Sequence, residues 1–144
     1  MTLTDSRRAH EAIKGNLKSE LIDGTEYWVS IDRDSQNPND SEVYLLPGFD
    51  EYILGYKDRS AVLKPEIAPL IVPGNNGVFL ATVVAGGRVV GTWKRNFKKK
   101  GMELRINPFE SLKGRQEAVI QEADRYAAFI GLPILKIDFT EKER

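Results

Sequence analysis

At 144 residues, with 41% hydrophobic and 29% charged side chains, the chain has the size and composition of one soluble globular domain with a real core, and it is too short for two large ones. It has no cysteine and a single histidine, His10, which excludes disulfides and thiolate metal sites and leaves any transition-metal site to carboxylates alone. The formal net charge is zero but unevenly spread: residues 1–87 carry −5 and residues 88–144 carry +5. Residues 88–115 alone hold 9 basic side chains against 2 acidic ones. Such asymmetry points either to an anionic partner or to a solvated basic face.

The first six residues lack the basic-then-apolar order of a secretory signal, and no apolar run approaches the roughly 20 residues that span a bilayer. The expected compartment is the cytoplasm, with no membrane partner. Residues 4–14 read as a short helix with Thr4 as N-cap, Asp5 in the first turn and Gly15-Asn16 as a left-handed stop. Leu17 to Leu21 and Glu26 to Ile31 read as two strands joined through the hairpin turn Asp23-Gly24. A helix followed directly by a hairpin is the closing part of a winged-helix unit.

Asp32 to Glu42 is polar and turn-rich, as a linker between two sub-structures would be. Val43 to Leu46 reads as a short buried strand stopped by Pro47-Gly48, and Phe49 to Ser60 as a compact turn with a one-turn helix. Pro65, Pro69 and Pro73, followed by Gly74-Asn75-Asn76-Gly77, rule out a long element over residues 61–77. Val78 to Val84 and Arg88 to Arg95 are strong strand candidates flanking Ala85-Gly86-Gly87, hence a hairpin. Met102 to Pro108 alternates strictly, with Met102, Leu104 and Ile106 on one face and Glu103 and Arg105 on the other, which predicts a half-exposed antiparallel strand. Apolar residues at 119, 120, 123, 126, 127 and 130 make one stripe of an amphipathic helix closed by Gly131 and Pro133. Ile134 to Phe139 is a final strand, followed by a charged tail expected to fray.

Few residues offer chemistry. His10 is expected on an exposed helix among Arg7, Arg8 and Glu11, a poor setting for a general base. Asp50, Glu51 and Asp58 could do acid–base work, which would make a hydrolase; the stronger alternative is that Asp50 and Glu51 cap a turn and that Asp58 or Glu51 pairs with Arg59. Residues 73–77 lack the pattern of a phosphate-binding loop, and no metal, nucleotide or nucleophile-elbow motif occurs, so no cofactor is expected. The most informative stretch is Trp93-Lys94-Arg95-Asn96-Phe97-Lys98-Lys99-Lys100. Its cations would neutralise phosphates, and Trp93 or Phe97 would either stack on an exposed base or pack inward. Arg7, Arg8 and Lys14 form a second basic group, where a winged helix carries its recognition helix.

Leu45-Leu46-Pro47-Gly48-Phe49-Asp50-Glu51-Tyr52-Ile53-Leu54-Gly55-Tyr56-Lys57-Asp58-Arg59 resembles the signature of the winged-helix DNA-binding-domain family that includes crosslink-repair, azinomycin-resistance type DNA glycosylases. Asn76 to Phe79 and Gly87 to Arg95 are similar to that family's C-terminal hairpin, and Leu3 to Arg8 with Ile22 to Trp28 resemble its final winged helix. The resemblance covers most of the chain in the right order but only the C-terminal third or so of such proteins. It implies a barrel with a hairpin near DNA. The family's Gln-x-Gln or Gln-x-Asp motif, which directs water at the sugar, has no counterpart among Gln36, Gln116 and Gln121.

The resulting expectation is an α+β chain: a partial winged helix over residues 1–32, then a small twisted antiparallel sheet or barrel with one long packing helix over residues 43–140. Its expected role is a DNA-binding accessory module without a catalytic motif, contacting DNA through Arg7, Arg8, Lys14, Arg88, Lys94, Arg95, Lys98, Lys99 and Lys100. Phe49, Asp50, Glu51, Tyr52, Tyr56, Asp58, Arg59 and Trp93 are signature residues that serve either fold or function. The alternative is a structural or interaction domain that forms a homodimer or docks on a separate winged-helix protein.

Overall fold

A computed structural model of the chain describes residues 2–22, 24–32, 42–112 and 114–140. The chain divides into two compact units, residues 1–37 and residues 38–144. Most of the expected linker and the tail from 141 lie outside the described residues.

The first unit holds helix α1 (Leu3–Ile13), a 3-10 turn over Lys14–Asn16, and strands β1 (Leu17–Ile22) and β2 (Thr25–Ser30). The N-cap is Thr2, not the expected Thr4. The Thr2 hydroxyl accepts the Asp5 N–H at 3.2 Å, and the Asp5 carboxylate accepts the Thr2 N–H at 3.0 Å. This reciprocal box needs an acceptor three residues after the cap; Thr2 has Asp5 there, whereas Thr4 has the cationic Arg7. The Thr2 hydroxyl also donates to the Asp5 carboxylate at 2.7 Å, and this bond first, then the one from the Thr2 N–H, holds the Asp5 carboxyl below its ordinary range. The expected left-handed stop at Gly15-Asn16 is also corrected, because the helix tightens into the 3-10 turn instead. β1 and β2 pair antiparallel, Leu17 opposite Ser30 and Ile22 opposite Thr25, and Gly24 takes φ +79° in the turn.

The helix meets this hairpin at Trp28: the His10 ring stands edge-on to it at 4.7 Å and the Lys14 ammonium lies 5.4 Å from its centre. His10 is therefore half-buried against an aromatic ring, not out in solvent as expected. No described side chain of this unit is fully buried, and Leu3, Ile13, Leu21, Ile22, Tyr27 and Ile31 are all exposed.

The second unit is built on a five-stranded sheet in the order β3 (Val43–Leu46), β4 (Thr82–Ala85), β5 (Arg88–Lys98), β6 (Gly101–Pro108), β7 (Ile134–Phe139). Its helices are α2 (Glu51–Leu54), α3 (Ala68–Ile71) and α4 (Gln116–Ile130). The sheet is mixed, which corrects the expected all-antiparallel arrangement: β7 runs parallel to β6, the two joined through α4. A strand–helix–strand connection of this length is the one that parallel neighbours require. No barrel closes among the described residues, because β3 and β7 remain edges. Helix α4 packs on both of them.

The β4–β5 hairpin turns through Gly86-Gly87, with φ of +55° and +74°, the two positive angles of a type I′ turn. Beyond it, Val84 faces Val89 and Val83 faces Gly91, so Val90 is an extra residue in β5 and makes a β-bulge. Alternation alone puts Val89 and Val90 on opposite faces; the bulge then shifts the phase of β5, so that Val90 and Trp93, three residues apart, share one core. Val89 joins Ile53, Leu63, Ile71 and Val84 in one core, while Val90 joins Trp93, Met102, Leu104, Ile106, Val119 and Ala123 in the other, beneath α4. Gly91 leaves room there, since a Cβ would come within 2.7 Å of the Asn107 carbonyl. The expected strand from Val78 shrinks to Thr82–Ala85, because the preceding residues turn aside: Leu80 N–H donates to Ile71 O at 2.9 Å.

Candidate nucleic-acid interface

β5 is eleven residues long, and only its first half is covered. Val89 to Trp93 are buried, whereas Lys94, Arg95, Asn96, Phe97 and Lys98 are all exposed. This outer half pairs with β6 alone, Lys94 opposite Arg105 and Lys98 opposite Gly101, and Lys99 and Lys100 form the turn. The result is a β5–β6 ribbon that runs past the β4 register, unpaired along its β5 edge and flanked along β6 by β7. Residues 94–107 carry six cations and one carboxylate, Glu103.

The two faces of the ribbon differ. On the face toward α4, Trp93 is 4% exposed, its Nε1–H donates to Leu46 O at 2.8 Å, and Tyr126 stands edge-on to its ring. Trp93 is thus a core residue and is not offered to a base. Phe97, further out on that face, is 51% exposed. Arg95 lies over both Phe97 and Tyr126 and donates a hydrogen bond to the Tyr126 hydroxyl. On the other face are Lys94, Lys98 and Arg105, the last of which sequence reasoning left out of the candidate contacts although its outward alternation was visible. Lys98 pairs with Glu103 at 3.3 Å.

Of the remaining expected contacts, Arg88 lies on the same strand but away from the turn, roughly 30 Å from Lys98 at about 3.3 Å per residue. Arg7, Arg8 and Lys14 belong to the first unit, where Arg7 and Arg8 are exposed and Lys14 pairs with Glu11 at 3.4 Å.

The signature segment forms a hydrogen-bonded corner. Asp50 caps α2 by accepting the Tyr52 N–H at 2.8 Å, and the Tyr52 hydroxyl, raised in pKa by burial, donates to Gly87 O at 2.6 Å. Arg59 Nε donates to Ile53 O at 2.5 Å, and its guanidinium lies over the Phe79 ring. Asp58 accepts the Ser60 N–H at 2.9 Å, and bonds from Ser60 hold its carboxyl low. Neither Asp58 nor Glu51 makes an ion pair with Arg59 among the described residues, so that expected pairing is replaced by the carbonyl and ring contacts. Phe49 and Tyr56 are exposed, Phe49 with φ +61° and its ring near Phe79. Beside this corner an apolar cleft of about 580 Å³ is lined by Arg59, Leu63, Ile71, Val72 and Phe79. Among the described residues no group of three or more His, Asp or Glu side chains could hold a metal ion, and no helix is long and apolar enough to cross a membrane.

A family model described as DNA glycosylase AlkZ-like matches residues 1–129. The chain belongs to the AlkZ-like DNA glycosylase family. Among solved structures it is similar to the Streptomyces sahachiroi DNA glycosylase AlkZ, with 25% identity and a TM-score of 0.73 over 97% of this chain. The chain spans 38% of the length of that AlkZ protein. No curated protein matches the sequence.

Proposed function

We propose that this chain is a DNA-gripping module of glycosylase-type repair, which holds a duplex by its backbone and contributes no bond-breaking step. One observation carries the reading: the uncovered half of the β5–β6 ribbon presents Lys94, Arg95, Lys98, Lys99, Lys100 and Arg105 to solvent against a single carboxylate, in a family of DNA glycosylases. Cations so spaced neutralise successive phosphates and release counterions. In this reading the helix–hairpin unit of residues 1–32 is part of a winged helix, with Arg7 and Arg8 as a second contact, and Asp50, Tyr52 and Arg59 serve the corner that supports the ribbon. Fluorescence anisotropy with intact, abasic and single-stranded oligonucleotides at two salt concentrations tests it. Duplex binding should weaken with salt, and Lys98→Ala/Lys99→Ala/Lys100→Ala should flatten the log–log slope by roughly 0.9 for each phosphate that is no longer neutralised. An unchanged slope removes the lysine turn from the interface, and base release from an alkylated duplex by the chain alone would show a bond-breaking step.

A second reading, docking to another protein, draws on the exposed apolar residues of the first unit. Leu21→Ser/Ile22→Ser should then convert a dimer or complex to monomer in sedimentation velocity. A wild-type monomer that gains nothing from a winged-helix partner protein would count against it.

A further inference from the structure

We propose that Lys94 and Arg105 form a two-pronged clamp for one phosphate group on the ribbon face turned away from α4. The neighbours of these residues fix the face: Trp93, Leu104 and Ile106 enter the core under α4, so Lys94 and Arg105 project from the opposite side. The register sets them directly across from each other. Opposed residues on one face of an antiparallel pair stand with Cβ atoms about 5 Å apart, and like charges in that arrangement repel. An anion seated between the two would relieve that repulsion.

Two carboxylates stand nearby: Asp138 lies opposite Arg105 across the β6–β7 pairing, and Glu103 lies opposite Asn96 across β5–β6. Each is engaged by a lysine, Glu103 by Lys98 at 3.3 Å and Asp138 by Lys136 at 2.7 Å, so the cations of this face, Lys94, Lys98, Arg105 and Lys136, outnumber them. Lys94 and Arg105 make no ion pair or side-chain hydrogen bond with any described residue. Together with Asn96 they line a cleft of about 230 Å³, which Glu103 and Asp138 also border. The chemistry suits a tetrahedral dianion or a phosphodiester: a guanidinium engages two oxygens of one phosphate in parallel, and an ammonium adds a compact charge from the other side. The clamp rests on the duplex-binding reading and gives it a contact distinct from the lysine turn.

The test uses the full chain with Lys94→Thr, Arg105→Thr, the double variant and Lys94→Glu. Each variant is read by duplex anisotropy across salt and by urea denaturation, and melting temperature is measured in inorganic phosphate against chloride at equal ionic strength. The two readouts should move in opposite directions. Removing or reversing a charge should raise the urea midpoint, most of all in Lys94→Glu, where the new carboxylate meets Arg105. The same changes should weaken duplex binding and flatten the salt slope by roughly 0.9, the double variant weakening little more than either single one because one phosphate is shared. If phosphate alone raises the wild-type melting temperature and does not raise that of the double variant, free phosphate fills the clamp as well; if only duplex protects, its source is the DNA backbone. A double variant with wild-type affinity and slope overturns the clamp and leaves the DNA module standing. A wild type that binds no duplex overturns the module, and the clamp falls with it unless phosphate alone shifts the melting temperature.

Discussion

The two units solve the problem of holding a hairpin in place in different ways. In the second unit the sheet has a core on each face, and Val83, Met102, Leu104, Ile106 and Val119 are buried to 1% exposure or less. In the first unit no described side chain is buried, and order comes from a capping box, a hairpin turn and the Trp28 ring touched by His10 and Lys14. Hydrophobic burial is cooperative and scales with area, whereas caps and surface cation–π contacts are local and worth about 1 kcal/mol each. The first unit is thus a surface-built element, held by local contacts and not by a core.

The sharpest way to break this contrast is to remove the tryptophan of each unit. Trp93→Ala deletes a buried ring, its hydrogen bond to Leu46 and its edge contact with Tyr126, and should cost about 3–5 kcal/mol in urea denaturation followed by circular dichroism. Trp28→Ala should cost less than half as much. Equal costs would mean that the first unit has a core after all.

A smaller effect sharpens the role of the signature corner. Asp50→Ala removes the α2 cap and should cost about 1 kcal/mol, while Asp50→Asn, which can still accept the Tyr52 N–H, should stay within a few tenths. If the Asn variant keeps its stability but no longer binds duplex, the carboxylate serves function and not fold.

The smallest effect is titration of the α1 cap. The folded pKa of Asp5 lies below its unfolded value, so the cap's contribution is complete above the unfolded value of about 3.9 and is lost as pH falls through the folded one. The helical signal of α1 should therefore decline on acidification below about pH 4, and Asp5→Ala should remove that pH dependence. A helix signal indifferent to acid in the wild type would show that Thr2 caps without its partner.

Much of this was legible in the sequence, for reasons that differ by element. The alternation of Met102, Leu104 and Ile106 and the stripe through Val119 and Ala123 appear in the structure as two sides of one core, because side-chain period follows directly from backbone geometry. Gly86-Gly87 marked its hairpin because few residues other than glycine take two consecutive positive φ angles. The direction of β7 was not legible from its own residues, since period does not distinguish parallel from antiparallel pairing; the fifteen-residue helix before it was the usable sign. In the candidate interface the lysines were visible as a run. Which aromatic ring turned inward was not, and the distance of Arg88 from the tip became apparent only once β5 proved to be one uninterrupted strand. The opposition of Lys94 and Arg105 depends on a cross-strand register that neither segment specifies alone.

The extra residue at Val90 has a consequence for how this chain can change length. It puts Val90 and Trp93, three residues apart, in the same core and so fixes which side every later residue of β5 faces. A one-residue insertion or deletion between Val90 and Trp93 would invert that assignment, driving Lys94 toward α4 and turning the indole outward. Between Phe97 and Gly101 no side chain belongs to either core, so residues can be added in pairs at the Lys99-Lys100 turn without disturbing the core residues that follow. The ribbon can thus grow or shrink in reach while its orientation stays locked.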